Sequence, residues 1–149
     1  MVQKSPSRGG FLQEVLGRGA LAGVVAACDR TTQQNQVQNL LEIVGAYRFP
    51  ESVDVLMLYI AYQVGRKQIH LETGRRLVND LDYIRRLAEQ LGDSGREGEG
   101  MGQELLRRYL GAVKWSYTAI TRGHRYGVCR RLRQLEPDVQ QVVGAILSR

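Results

Sequence analysis

The sequence predicts an all-α fold, a compact bundle of about five or six helices. Apolar residues recur at the three- and four-residue intervals of amphipathic helices, and no segment shows the alternation typical of a strand. Leucine, glutamine and arginine are more frequent than isoleucine, phenylalanine and threonine, which strands prefer. At 149 residues, of which 43% are hydrophobic, the chain is long enough to bury a single core.

The first 28 residues predict a flexible tail followed by a helical segment of low helix propensity. Residues 1–10 are polar, small and glycine-rich, which is typical of a flexible tail, so a single helical domain is expected to span residues 11–149. Phe11–Cys28 is largely apolar, but it contains three glycines that lower helix propensity: Gly17, Gly19 and Gly23. We therefore expect one or two short helices in this segment.

The next two helices are separated by a proline. The spacing of one helix face is shown by Val37, Leu40, Leu41 and Val44. Pro50 ends that helix, and Glu51 or Ser52 can begin the next one. Up to Gly65 this second helix is apolar on nearly every side, which favours a place in the middle of the bundle. Gly65 is expected to allow a close approach there, with Arg66 at the surface.

Three further helices are predicted in the second half of the chain. The clearest amphipathic pattern runs from His70 to Leu91. Residues 92–101 are rich in glycine and charge, which predicts a flexible loop. Another helix can then run to about Thr121. The basic C-terminal extension, residues 122–149, contains a short last helix that Pro137 and Asp138 can start.

The charge of the chain is unevenly distributed. The formal net charge is +6; residues 1–60 hold five Lys and Arg against five Asp and Glu, whereas residues 61–149 hold sixteen against ten. Clustered cations gain affinity by releasing counterions from phosphates, so this excess indicates a polyanion as partner.

The cysteines predict a reduced, metal-free, cytoplasmic protein. Cys28 and Cys129 are the only two, and neither they nor His70 and His124 stand at a metal-ligand spacing. A bacterial lipoprotein is an open alternative, because VAAC before Asp29 resembles a lipoprotein cleavage box, although charged residues interrupt the preceding apolar region. Nothing else approaches the roughly 18 apolar residues of a membrane span, so no membrane partner is expected.

The sequence does not predict an enzyme. It contains no G-x-S-x-G motif, and the glycine-rich GREGEGMG lacks the G-K-[ST] ending of a phosphate-binding loop. Asp82 precedes Arg86 by four residues and Glu104 precedes Arg108 by four, which is the spacing of ordinary helix ion pairs. We expect no catalytic residue, no metal and no cofactor.

The candidate binding residues are cations with few acidic neighbours. Arg85, Arg86 and Arg108 are set aside because carboxylates lie within one helical turn of them. The remaining set predicts a phosphate-tracking face: Arg66, Lys67, Arg75, Arg76, Lys114, Arg122, Arg125, Arg130, Arg131 and Arg133. Those near helix ends could instead act as caps of the helix dipole. Trp115 and Tyr117 could stack on bases, although aromatic residues on helices more often pack in a core.

Three segments, taken in order, resemble a known family. NQVQNLLEIVGAY, LYIAYQVGR and RRYLGAVKWSY are similar to the small, helical "belly" subunit of type III CRISPR–Cas effector complexes. The most specific match is to the Tyr-Gln-x-Gly-Arg motif of that family: Tyr62, Gln63, Gly65 and Arg66. The resemblance spans roughly residues 30–120. Gln38 and Asn39 depart from it, because the family tends to have Arg-Lys there.

The resemblance implies a non-catalytic RNA-binding subunit that stacks in several copies. Its implied partners are guide RNA, target RNA, and the backbone and large subunits of the complex. Contacts to phosphates would position the duplex while base pairing reads its sequence, with Arg66 and Lys67 among those contacts. Other classes stay open: a helical dimeric adaptor, a DNA-binding regulatory protein without a visible helix-turn-helix, or a small enzyme.

Overall fold

The computed structural model describes residues 8–92 and 96–148, and this part of the chain is helical without strands. The elements follow in the order α1 (Arg8–Asp29), α2 (Gln34–Ala46), α3 (Glu51–Gly65), α4 (Leu71–Leu91), α5 (Arg96–Gly123), a 3₁₀ helix (Tyr126–Gln134) and α6 (Val139–Leu147). The predicted all-α class is confirmed. Residues 1–7 of the predicted tail and 93–95 of the predicted loop lie outside the described residues, and α5 begins at Arg96, inside that predicted loop.

Helices α1 and α5 run parallel through the centre of the bundle. Gly19 lies against the Tyr109 carbonyl and Gly23 against Ser116, so closely that a Cβ at either glycine would collide with these atoms. The missing side chains let the two backbones approach. α1 is therefore one continuous helix of 22 residues. The structure thus has one of the one or two predicted helices, but this helix is long rather than short, because the packing outweighs the low helix propensity of glycine.

A polar group joins three helices inside the core. Asp80 of α4 is 2% exposed and accepts hydrogen bonds from Arg18 (3.0 Å) and from the Tyr109 hydroxyl (2.6 Å). The Arg18 guanidinium also lies 3.8 Å from the centroid of the Tyr83 ring. Burial raises the pKa of Asp80, and the hydrogen bonds from Tyr109 and Arg18 oppose that shift. Because each partner comes from a different helix, this group fixes how α1, α4 and α5 are aligned.

Helix α3 is peripheral rather than central. It packs on α2 and α4 through one buried stripe, formed by Val53, Leu56 and Ile60. Leu58, 74% exposed, and Tyr62, 53% exposed, lie outside that stripe. The predicted central position is therefore wrong, because part of the apolar surface of α3 faces outward. Gly65 permits no close approach either, since a Cβ there would meet nothing within 4 Å.

Three of the predicted helix ends agree with the structure: the end of α2 and the starts of α4 and α6. α2 stops at Ala46, before Pro50. His70 caps α4, because its Nδ1 accepts a hydrogen bond from the Glu72 N–H (3.2 Å). Asp138 caps α6 by accepting from the Gln141 N–H (2.9 Å). These ends follow from local side-chain chemistry, which is why the sequence predicts them.

The C-terminal extension is fastened to the bundle by a disulfide. Cys28, at the end of α1, is bonded to Cys129 of the 3₁₀ helix, 101 residues further on. The prediction of reduced cysteines is thus wrong, because folding brings together two residues that are distant in sequence. The 3₁₀ helix and α6 both pack on α1. The Arg125 guanidinium donates to the carbonyls of Ile146 (2.9 Å) and Ser148 (2.6 Å), which closes the end of α6.

In the described part of the chain, one stretch is long and apolar enough to cross a membrane by length and composition, Gly10–Asp29. It belongs to α1, and 56% of it is buried inside the bundle. The core helix of a folded domain meets the same criteria. The lipoprotein alternative would remove the residues before Cys28, and with them the helix around which the other helices pack.

Candidate nucleic-acid interface

Three segments that are distant in sequence meet at one end of the bundle, which we call the basic end: residues 28–32, 66–70 and 122–134. Thr32 links the first two, because its Oγ1 accepts a hydrogen bond from the His70 N–H (3.2 Å). Its carbonyl accepts from the hydroxyl of Tyr117, near the end of α5 (2.7 Å). The Cys28–Cys129 disulfide adds the third segment. The surface is therefore held on a scaffold of specific contacts.

Asp29 organises the turn that follows α1. Its carboxylate accepts hydrogen bonds from the N–H groups of Thr31 (2.7 Å) and Thr32 (2.8 Å). It also accepts from the Thr32 hydroxyl (2.7 Å) and from the Thr73 hydroxyl. Arg30 follows with a φ of 66°, and its guanidinium lies 4.3 Å from the centroid of the Tyr126 ring. The carboxylate of Asp29 is thus hydrogen-bonded within the turn and to Thr73 of α4.

The connection between α3 and α4 presents Arg66 and Lys67. The carbonyl of Gln63 accepts from the N–H groups of Gln68 (2.8 Å) and Ile69 (3.3 Å). Lys67 has a φ of 63°, the left-handed conformation that commonly closes a helix. Because backbone groups close the turn, neither cationic side chain is needed as a cap. Both are exposed, and within the described residues neither forms a hydrogen bond or an ion pair.

The Tyr-Gln-x-Gly-Arg motif divides into an exposed pair and a buried residue. The Arg66 guanidinium lies 5.4 Å from the centroid of the half-exposed Tyr62 ring. Gln63 is buried, and its side-chain Oε1 has no hydrogen-bond partner among the described residues. The motif therefore offers one aromatic ring and one guanidinium to the outside, beside the basic end.

Some arginines of the third segment, residues 122–134, are hydrogen-bonded within the protein, and others are exposed without such a partner in the described residues. Arg125 is held by α6, as described above, and Arg131 donates to the Ser148 hydroxyl (3.0 Å). Arg122, Arg130 and Arg133 are exposed and have no hydrogen-bond or ion-pair partner in the part of the chain that the structure describes. An anion could therefore contact these three exposed guanidinium groups without displacing a hydrogen bond or ion pair of the described residues.

The other predicted cations lie on the sides of the helices. Arg75 pairs with Glu72 at 3.2 Å, an exposed ion pair of the kind that contributes about 0–1 kcal/mol. Lys114 donates to the Gln38 side chain (3.1 Å). Arg76 is partly buried; burial raises the pKa of Asp80, and the charge of Arg76 opposes that shift. The predicted residues therefore do not form one continuous face.

The basic end concentrates positive charge. Its three segments hold eight cations against a single carboxylate, that of Asp29. The cations are Arg30, Arg66, Lys67, Arg122, Arg125, Arg130, Arg131 and Arg133. The arginines set aside in the sequence analysis do form ion pairs away from this end: Arg85 and Arg86 with Asp82 (both 2.9 Å), and Arg108 with Glu104 (2.7 Å). A surface of this kind attracts polyanions over several ångströms.

The two aromatic candidates have different surroundings. Tyr117 is 5% exposed, and burial raises the pKa of its hydroxyl, which stays protonated and donates to Thr32. Trp115 is 77% exposed on the side of α5. Sequence reasoning missed Arg30 as a candidate; its position directly after an apolar helix was the available signal.

The basic end exposes cationic side chains, and these have no ion-pair partner in the described residues: Arg66, Lys67, Arg122, Arg130 and Arg133. Exposed guanidinium and ammonium groups contact phosphates irrespective of base sequence. No three His, Cys, Asp or Glu side chains gather into a metal site in the described ranges, 8–92 and 96–148. The chain matches no protein-family model, no curated protein and no solved structure.

Proposed function

We propose that this protein is a non-catalytic small subunit of a type III CRISPR–Cas effector complex, which contacts a guide RNA–target RNA duplex through its basic end. The observation that carries the proposal is the convergence of eight cations and one internally bonded carboxylate from three distant segments. The Tyr62–Arg66 pair, part of the motif that resembles this family, borders the same surface. In the complex, the backbone and large subunits and further copies of this chain would be its partners.

The physical basis of the proposed contact is electrostatic. An A-form RNA duplex has a deep, narrow major groove, so proteins recognise it mainly through phosphates, 2′-hydroxyls and overall shape. Arg66, Lys67, Arg130 and Arg133 have no competing carboxylate partner among the described residues, so binding would break no ion pair. Such contacts would hold the duplex while base pairing between the two RNAs supplies specificity.

Fluorescence anisotropy with the full chain tests this proposal. Labelled RNA duplexes of two unrelated sequences should bind with similar affinity, and four phosphate contacts would give a slope of log K against log salt of about −3 to −4. Arg66→Ala should reduce that slope by about 1. Arg86→Ala is the matched control, because it removes the same charge from a residue paired with Asp82 away from the basic end.

Two results would contradict the proposal: RNA binding that does not depend on salt, or equal effects of Arg66→Ala and Arg86→Ala. A clear preference for duplex DNA over duplex RNA would favour the DNA-binding regulator instead. Co-purification of the wild-type chain, but not of Arg66→Glu, with the backbone subunits would support the assignment to the complex.

A further inference from the structure

Two further arginines without partners line a cavity at the other end of the bundle. Arg48, in the connection between α2 and α3, and Arg107, on α5, are exposed and line one cavity of 620 Å³. In the part of the chain that the structure describes, neither side chain forms a hydrogen bond or an ion pair. Arg107 precedes Arg122 by 15 residues on α5, a distance of about 22 Å along the helix. The cavity is therefore separate from the basic end.

Gln103 of α5 holds one wall of this cavity in place. Its side-chain amide nitrogen donates hydrogen bonds to the carbonyl of Val44, in the last turn of α2, and to that of Tyr47 (3.3 Å), just after the helix. The carbonyls at the C-terminal end of a helix carry partial negative charge and would repel an anion. Because Gln103 occupies two of these carbonyls, the end of α2 repels an anion less than an uncapped helix end does.

Phe49 joins the same connection to α5 by packing. It is 7% exposed and lies against Gly102, so closely that a Cβ at this glycine would collide with the ring. Binding costs less when the groups that contact a ligand are already positioned. Arg48 and Arg107 therefore start from two segments whose relative position is set before any ligand binds.

The lining of the cavity suits a compact molecule that has a phosphate and a flat ring. The lining residues include two guanidinium groups and no carboxylate. Guanidinium groups bind phosphates through paired, charge-assisted hydrogen bonds. Tyr47 also lines the cavity and is 45% exposed, so its aromatic ring is available for stacking on a base. The volume lies within the range of about 300–1,000 Å³ that is usual for small-molecule sites.

We propose that this cavity binds a mononucleotide, with its phosphate between Arg48 and Arg107 and its base against Tyr47. A mononucleotide fits better than an RNA strand, because a terminal phosphate carries a charge of about −1.5 to −2 at pH 7, whereas each phosphate within a strand carries a single charge. Two guanidinium groups match the larger charge. The site does not depend on the proposed RNA contact, since it shares no residue with the basic end.

Isothermal titration calorimetry of the full chain with adenosine 5′-monophosphate tests the site. Arg48→Ala and Arg107→Ala should each weaken binding by about tenfold or more, as expected when hydrogen bonds to a charged group are lost. Arg108→Ala is the matched control, because it removes the same charge from the next position of α5, where the side chain pairs with Glu104 and does not line the cavity. This control should bind the nucleotide as the wild type does. All three arginines are exposed, so the variants should fold normally.

Incomplete ligands test the two halves of the site. Adenosine, which lacks the phosphate, should bind at least about tenfold more weakly than the nucleotide. Ribose 5-phosphate, which lacks the base, should bind at least about fivefold more weakly. Tyr47→Ala should weaken binding of the nucleotide by about fivefold or more and leave binding of ribose 5-phosphate unchanged, because only the nucleotide has a ring to stack.

Three results would overturn the proposal: no binding of the nucleotide by the wild type, equal affinities for the nucleotide and adenosine, or equal effects of Arg107→Ala and Arg108→Ala. Displacement of the nucleotide by a tighter-binding single-stranded RNA without a terminal phosphate would also overturn it, because the cavity would then be a further RNA contact. Arg66→Ala should leave nucleotide binding unchanged, so this proposal and the RNA contact at the basic end can fail separately.

Discussion

Replacing Gly19 by alanine tests the close approach of α1 and α5. In an isolated helix this substitution stabilises by about 1 kcal/mol. In the bundle the new Cβ would lie 2.8 Å from the Ala112 Cβ and would overlap the Tyr109 carbonyl oxygen. The backbone of α5 must therefore shift, and overpacking of this kind costs about 1–3 kcal/mol. Because the obstacle is backbone, we expect the upper part of that range and a net loss of about 1–2 kcal/mol after the gain in helix propensity.

Urea unfolding followed by circular dichroism measures this loss in the free energy of unfolding. In a thermal scan, the same loss should lower the melting temperature by roughly 2–8 °C. The control is Gly111→Ala on α5, where a Cβ would meet nothing within 4 Å. That variant should be more stable than the wild type by about 0.5–1 kcal/mol. If Gly19→Ala stabilises the protein as Gly111→Ala does, the close packing of the two central helices is refuted.

Two further predictions concern the disulfide and the buried carboxyl. Cys129→Ser removes the disulfide that closes a loop whose ends are 101 residues apart. The free energy of unfolding of the oxidised wild type should therefore be about 2–4 kcal/mol larger than that of the variant. Equal urea midpoints for the variant and the oxidised wild type would contradict this prediction. Burial raises the pKa of Asp80 above its ordinary value of 3.8, so the folded state binds that proton more tightly than the unfolded state. The free energy of unfolding of the wild type, relative to that of Asp80→Asn, should therefore rise as the pH falls through the folded-state pKa of Asp80. Urea titrations at several pH values measure this difference. If the difference instead grows as the pH rises, the ion pair with Arg18 outweighs burial.

Local chemistry allowed much of the fold to be predicted. Residues within one helical turn set the start of α4 at His70, the start of α6 at Asp138 and the stop of α2 before Pro50. The ion pairs of Arg86 and Arg108 follow from a spacing of four residues. In each case the partners are neighbours in the sequence, so the structure adds little that the pattern does not already contain.

Features that join distant segments could not be predicted in this way. Helix propensity treats Gly19 as a weakness, because the sequence does not show that Tyr109 will pack against it. Cys28 and Cys129 match no local spacing, and only the folded chain brings them together. The candidate site also depends on contacts between distant segments. The sequence predicts its cations one by one, but it does not show which of them are hydrogen-bonded within the protein. Arg125 is hydrogen-bonded to the end of α6, whereas Arg130 is exposed.

The pairing of α1 with α5 also affects the order of events during synthesis. Contacts between the first and fifth helices cannot form until α5 has been made, and the Thr32–Tyr117 hydrogen bond that marks their common end spans 85 residues. At a translation rate of about 5–20 residues per second, the ribosome needs roughly 4–17 s to add that length. During this interval the apolar face of α1 lacks its main partner, and chaperones or targeting factors can reach it. Burial of the long apolar stretch in α1 is thus a late step, completed only after α5 has been made.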